Sequence, residues 1–130
     1  MKKISTLILF YLFINFINAQ ELKINNEIYL INKEQSTFYF QKLNRLKLNF
    51  KKVVSKKIEE LFIVAKCNIP SKTSFFKLNG KKIEKPFVKV DDFESDLILK
   101  RRSGQCIDRY IIEFSTKEKS FVIFLNKNNR

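Results

Sequence analysis

Arginine is concentrated in one short segment of a chain that otherwise uses lysine. Three of the five arginines fall between positions 101 and 109, whereas lysine outnumbers arginine 21 to 5 over the whole sequence. The guanidinium group is a rigid fork that binds carboxylate or phosphate through two parallel hydrogen bonds. The segment therefore predicts a loop that binds an anion or a partner. Its candidate residues are Lys100, Arg101, Arg102, Arg109 and Tyr110. The alternative is an ordinary charged hairpin end, in which Asp108 pairs with one of the arginines.

Histidine is absent from the sequence, which removes the commonest general base and metal ligand. Catalytic sites of the Ser–His or Cys–His kind are thereby excluded. Two cysteines cannot complete a four-ligand zinc site, and the two glycines, Gly80 and Gly104, do not make a phosphate-binding loop. We therefore predict no catalytic residue, no metal site and no cofactor. A hydrolase that uses paired carboxylates remains an alternative, although no feature of the sequence selects the two residues.

Four carboxylates form the acidic cluster of this basic chain: Asp91, Asp92, Glu94 and Asp96. The alternating oxygens resemble the start of a calcium loop. However, no glycine follows to make the sharp turn, and no bidentate glutamate closes the site. The pattern favours a solvated turn or the acidic first turn of a short helix.

The chain begins with the three parts of a secretory signal peptide. Lys2 and Lys3 precede the apolar run Leu7–Ile14, and Asn18-Ala19 places a small residue just before Gln20. The apolar segment is shorter than the roughly 20 residues that span a bilayer. We expect cleavage after Ala19, no stable membrane span afterwards, and export to the periplasm or the exterior; the alternative is a retained membrane tether. Residues 20–130 then form a single domain.

Cys67 and Cys106 are the two cysteines of the chain. Export implies an oxidising compartment, so we predict a disulfide between them. Closing a loop of about 40 residues would contribute on the order of 4 kcal/mol to stability. The alternatives are two separately buried thiols or an intermolecular bridge.

The formal net charge is +13, and it would fall to +11 with the loss of Lys2 and Lys3. Such a charge suits a polyanion partner. The abundance of Lys, Ile, Phe and Asn also suits a genome biased toward A and T, in which case the charge has no role in binding. Both interpretations stay open. An exported protein rarely meets nucleic acid, so the expected partner is a protein or an anionic component of the cell envelope.

Turn-forming residues separate short runs that are rich in β-branched and aromatic residues. Asn79-Gly80 predicts a hairpin between Phe75–Leu78 and Lys81–Lys85, and Pro86 opens a strand over Phe87–Val90. A three-stranded antiparallel meander is predicted farther along the chain, over Asp96–Arg102, Gln105–Ser115 and Ser120–Asn126. Extended segments are also predicted at Glu27–Ile31, Thr37–Phe40 and Leu46–Phe50.

Two regions keep a helical alternative. Asp91 is a possible N-cap of a helix that ends at Gly104, and Val54, Ile58 and Leu61 begin a helical stripe within Lys51–Lys66. The expected fold is mainly β: a small single domain of antiparallel strands, arranged as a meander or a sandwich, with one helix on the sheet as the α+β alternative. The expected function is non-catalytic binding, and the alternative is a secreted enzyme inhibitor that presents the basic loop of residues 100–110.

Overall fold

The computed structural model describes residues 20–31, 35–41, 44–51, 56–69, 75–101 and 106–128. The predicted signal peptide, Arg102 and the Ser103-Gly104 turn lie outside these residues. Eleven strands make up the regular structure of the described chain: β1 (Gln20–Ile24), β2 (Glu27–Ile31), β3 (Gln35–Phe40), β4 (Arg45–Asn49), β5 (Glu60–Lys66), β6 (Phe76–Leu78), β7 (Lys81–Ile83), β8 (Phe87–Lys89), β9 (Leu97–Arg101), β10 (Arg109–Ser115) and β11 (Ser120–Lys127). No helix of the described residues is long and apolar enough to cross a membrane.

The strands form two sheets. The first sheet has the order β2-β1-β4-β9-β6-β7, and the second has the order β3-β11-β10-β5-β8. Neighbouring strands are antiparallel, except that β3 runs parallel to β11. The expectation of a small, mainly β domain is confirmed.

Alternating side chains turn one face of each sheet inward. In β10, for example, Tyr110, Ile112 and Phe114 are buried while the residues between them are partly or fully exposed, because successive side chains of a strand point to opposite faces. Ring contacts join the two sheets: Phe50 lies 5.6 Å from Phe114, and Phe76 lies 5.9 Å from Tyr110 between ring centroids. The buried residues of both sheets form one hydrophobic core.

The Asn-Gly hairpin is confirmed. β6 and β7 pair antiparallel, and Asn79 and Gly80 have φ of 50° and 83°, as a type I′ turn requires. The Asn79 side chain also ties the hairpin to β9, since Ile98 N–H donates to Asn79 Oδ1 at 2.7 Å. The turn therefore sets the place of β6 and β7 in the first sheet.

The predicted meander is wrong in its first strand. β10 and β11 form the expected hairpin, but β9 belongs to the first sheet, where it pairs with β4 and β6. β5 occupies the edge of β10 that the meander assigned to β9. Turn-forming residues predict where a strand stops, but they carry no information about which sheet the next strand joins.

Both helical alternatives give way to strands in the described residues. Leu97–Arg101 is β9, and Glu60–Lys66 is β5; residues 52–55, where the second helical stripe begins, lie outside the described chain. In β5 the buried residues recur every second position. Because β5 pairs on both sides, with β10 and β8, an extended conformation satisfies its backbone hydrogen bonds.

The predicted disulfide joins Cys67 to Cys106, with the two Cα atoms 5.4 Å apart. Cys67 directly follows β5, and Cys106 lies three residues before β10. The bridge therefore lies at one end of β5 and β10, next to the residue pair Lys66 and Arg109.

Candidate anion-binding face

Four basic side chains lie side by side across the first sheet. The strand register places Lys82 opposite Lys77, Lys77 opposite Lys100, and Lys100 opposite Arg45. All four residues are exposed. We call this set, which crosses β7, β6, β9 and β4, the cation row.

Strand alternation points the row away from the core. Lys77 lies between buried Phe76 and half-buried Leu78, which packs against the core, and Lys100 follows buried Leu99. The residue after Arg45, Leu46, is likewise buried. Because neighbouring residues of a strand point to opposite faces, the row lies on the outer face of the first sheet.

Like charges that lie directly opposite each other on neighbouring strands destabilise a sheet. Of the four, Lys82 has a carboxylate at 3.9 Å, that of Glu84, and its ammonium group lies 5.3 Å from the centre of the Phe75 ring. Lys77, Lys100 and Arg45 form no salt bridge with any residue that the structure describes. The mutual repulsion of the row is therefore largely uncompensated within the described chain.

The neighbouring row of the same face shows a different arrangement. Lys47 lies opposite Ile98, and its ammonium group is 3.2 Å from Asp96 Oδ2. Asn49 holds the other oxygen of Asp96 through a hydrogen bond of 2.7 Å. Lys47 thus has a positioned counter-charge, which Lys77, Lys100 and Arg45 lack among the described residues.

The backbone around the row is held by hydrogen bonds between strands. Asn79 N–H donates to Ile98 O at 2.9 Å, and Arg101 N–H donates to Asn44 O at 2.6 Å. The first bond ties the β6–β7 hairpin to β9, and the second ties the end of β9 to the start of β4. The row is consequently built on strands of fixed register and not on a loop, which favours a defined spacing of its charges.

The structure separates the site residues that the sequence predicts. Lys100 lies in the cation row, and Arg109 lies on the outer face of the second sheet, since it alternates with buried Tyr110. Because the sheets pack through their inner faces, Lys100 and Arg109 lie on opposite sides of the molecule. Arg102 is outside the described residues, so the five candidates do not form one site in the part of the chain that is described.

Tyr110 lies in the core and is only 3% exposed. Its ring contacts those of Phe40 and Phe76. Burial raises the pKa of the Tyr110 hydroxyl to about 12, although the charge of Arg101 acts in the opposite direction. In this arrangement Tyr110 contributes to packing between the sheets, and its ring is not accessible to a ligand.

Arg101 joins the two sheets. Its Nη2 donates to Asn44 Oδ1 at 2.9 Å, and its Nη1 donates to the carbonyl oxygen of Ile107 at 3.2 Å. Asn44 directly precedes β4, and Ile107 lies two residues before β10. The guanidinium fork predicted to bind a ligand is therefore occupied by partners within the protein.

We expect Arg101→Ala to lower the free energy of unfolding by about 2 kcal/mol. Removing the charged guanidinium group leaves Asn44 Oδ1 and the carbonyl oxygen of Ile107 without these hydrogen bonds. Anion affinity should change less than twofold. Lys100→Ala is the matched control, and it should show the reverse pattern: weaker anion binding at nearly unchanged stability. Urea unfolding and an anion titration of both variants measure the two effects. A loss of anion binding by Arg101→Ala without a loss of stability would restore the interpretation that Arg101 binds the ligand.

Sequence reasoning missed Lys82, Lys77 and Arg45. In the sequence they are ordinary lysines and an isolated arginine, separated from Lys100 by 18 to 55 positions. Their alternation with apolar neighbours marks them as outward-facing. Only the order and register of four strands brings them into one line, and no local pattern encodes that arrangement.

The acidic cluster does not form a metal site in the described residues, where no group of three or more potential ligands has suitable geometry. Asp96 pairs with Lys47. Asp92 accepts hydrogen bonds from Glu94 N–H at 3.3 Å and from the Ser95 hydroxyl at 3.4 Å. These contacts are typical of a capped turn.

The outer face of the second sheet carries an apolar row that crosses four of its strands. Phe124, Ile111, Val64 and Phe87 lie opposite one another across β11, β10, β5 and β8. The first three are half-buried, and Phe87 is 57% exposed. Positive charge on this face lies away from that row: Lys66 and Arg109 are opposite each other, and Lys89 is opposite Phe62.

Comparison with known protein families finds no family that matches this chain, and comparison with curated proteins likewise finds no match.

Proposed function

We propose that this protein is a small exported binding protein that holds an anionic component of the cell envelope on the outer face of its first sheet. The observation that carries the proposal is the cation row, in which Lys77, Lys100 and Arg45 are neighbours without a carboxylate partner among the described residues. A ligand that supplies negative charge to these three groups removes their mutual repulsion, so binding is favoured by contacts that the protein itself leaves unmade.

Two further features support a binding role outside the cytoplasm. The disulfide between Cys67 and Cys106 is typical of proteins that mature in an oxidising compartment. Residues 1–19 also have the pattern of a signal peptide. A non-catalytic role agrees with a sequence that has no histidine.

The test compares two double variants with the same change in charge. Lys77→Gln/Lys100→Gln removes the centre of the cation row, whereas Lys66→Gln/Lys89→Gln removes two exposed lysines of the second sheet. Each protein, with its disulfide intact, is titrated with dextran sulfate and with neutral dextran of the same size. Neutral dextran should not bind any of the proteins.

We expect the row variant to bind dextran sulfate about tenfold more weakly than the unmodified protein, since each exposed charge contact contributes on the order of 0.5 to 1 kcal/mol. The second-sheet variant should lose less than twofold. The slope of log affinity against log salt should fall by about two in the row variant, one for each lysine. Equal losses in the two variants would show that binding depends on net charge alone, and the proposed site would then be wrong.

A further inference from the structure

The charges of the proposed site form a line. Adjacent strands of a sheet lie about 4.8 Å apart, so four cations on consecutive strands extend over about 14 Å, perpendicular to the strands. The next row toward the Asn79-Gly80 turn holds Ile98 and Lys47, and the charge of Lys47 is taken by Asp96. On that side the line of unpaired charge is therefore one residue wide.

A line of this kind selects the shape of its ligand. A single small anion reaches two neighbouring cations at most, and the others keep their repulsion. A chain with anionic groups at short, regular intervals reaches every cation in turn, and each contact raises the effective concentration of the next anion. The lysine side chains are flexible stems with point charges, so a small mismatch between the ligand repeat and the strand spacing is tolerated.

The residue types suit phosphate groups. Lysine binds phosphate as a point charge, and arginine binds two of its oxygens through its fork. The row has three lysines and ends, at β4, in Arg45, whose guanidinium has no ion-pair partner among the described residues. Phosphate presents oxygens in several directions, so one group can contact cations on two adjacent strands.

We propose that the ligand is a linear chain of phosphate groups that lies across the strands of the first sheet and contacts Lys82, Lys77, Lys100 and Arg45 in succession. This inference rests on the proposed function, since it identifies the anionic component that the cation row binds. The occupant is then a phosphodiester polymer such as poly(glycerol phosphate), which can be part of a cell envelope; inorganic polyphosphate shares its chemistry and serves as the comparison. The two polymers differ in the spacing of their phosphates along the chain.

The test is a chain-length series. The protein with its disulfide intact is titrated with pyrophosphate and with polyphosphates of increasing defined length, and in a second arm with glycerol phosphate oligomers. Affinity should rise about tenfold from pyrophosphate to the first chain that spans about 14 Å, since two further exposed charge contacts are made, and should rise only slowly beyond it. The polymer whose affinity at that span is higher identifies the source.

The end variant Lys82→Gln/Arg45→Gln shortens the line to its two central cations. The affinity of this variant for phosphate chains should stop rising at a shorter ligand length than the affinity of the unmodified protein does. Lys66→Gln/Lys89→Gln should leave the dependence of affinity on ligand length unchanged. Pyrophosphate binding as tight as that of long chains would overturn the linear ligand, as would failure of both phosphate polymers to bind. In either case the proposed function stands if dextran sulfate binding still depends on Lys77 and Lys100; if that dependence is also absent, both proposals fail.

Discussion

Replacing both cysteines, in Cys67→Ala/Cys106→Ala, is expected to lower the free energy of unfolding by about 4 kcal/mol. The bridge spans a sequence separation of 39, and the chain-entropy estimate for a loop of that length is about 4 kcal/mol. A small domain has a total stability of about 5–15 kcal/mol. The double variant should therefore be only marginally folded at physiological temperature.

The position of the bridge explains why the folded state depends on it. Asp108 N–H donates to Lys66 O at 3.1 Å, and Lys127 N–H donates to Asp108 O at 2.8 Å. The Asp108 carboxylate also accepts from Asn68 N–H at 2.9 Å. These bonds lie near the bridge, at the end of the second sheet where β5, β10 and β11 meet. Opening the disulfide therefore removes the covalent link beside the hydrogen bonds that position these three strands.

Urea unfolding of the oxidised protein and the alanine variant measures the difference. The slope of free energy against urea should be somewhat larger in the variant, because the uncrosslinked unfolded chain exposes more surface. Reductant is the control: it should destabilise the unmodified protein by a similar amount and leave the variant unchanged. If the variant is destabilised by less than about 1 kcal/mol, the disulfide does not stabilise the protein by restricting the unfolded chain.

Phe76→Ala is expected to cost about 3–5 kcal/mol, the range for removing a large aromatic side chain from a core. Phe76 is 1% exposed, and its ring meets that of Tyr110 at 79° and 5.9 Å between centroids. This edge-to-face contact joins β6 of the first sheet to β10 of the second. β6 has only three residues; it pairs with β9 and β7 in its own sheet, and Phe76 is its one fully buried residue.

Phe87→Ala is the matched control, because Phe87 also lies in a three-residue strand but is 57% exposed. It should cost less than about 1 kcal/mol. Since β6 carries Lys77, Phe76→Ala should also weaken polyanion binding, whereas Phe87→Ala should not. Thermal unfolding together with a dextran sulfate titration measures both effects. Equal destabilisation by the two variants would show that the Phe76 ring does not link the sheets.

Much of the local structure follows from short stretches of sequence. Asparagine and glycine tolerate positive φ, so Asn79-Gly80 predicted its hairpin, and runs rich in β-branched and aromatic residues predicted β10 and β11. The same signals were present at Asn25-Asn26, where φ is 49° and 69° and where Leu22 and Ile24 alternate in β1, but β1 was not predicted. Because the chain has two cysteines, only one intramolecular disulfide was possible.

The pairing of strands that are distant in sequence could not be predicted from such local patterns. β9 pairs with β4 and β6, and it is these pairings that bring Arg45, Lys77 and Lys100 together. The predicted site took Lys100 with its neighbours along the chain, although alternation sends Arg101 toward the other sheet and β10 carries Arg109 to the opposite face. Residues that are close in sequence, such as Lys100 and Arg109, are thus placed on different faces.

The sequence by itself determined several of the strands, the Asn79-Gly80 turn, the single intramolecular pairing open to the two cysteines and the absence of histidine chemistry, because these depend on residue type and on contacts a few positions apart. The tertiary structure alone decided which strands share a sheet and in what register. That choice depends on how distant apolar faces pack together in one core, and the line of unpaired positive charge on the opposite face of the sheet is its consequence.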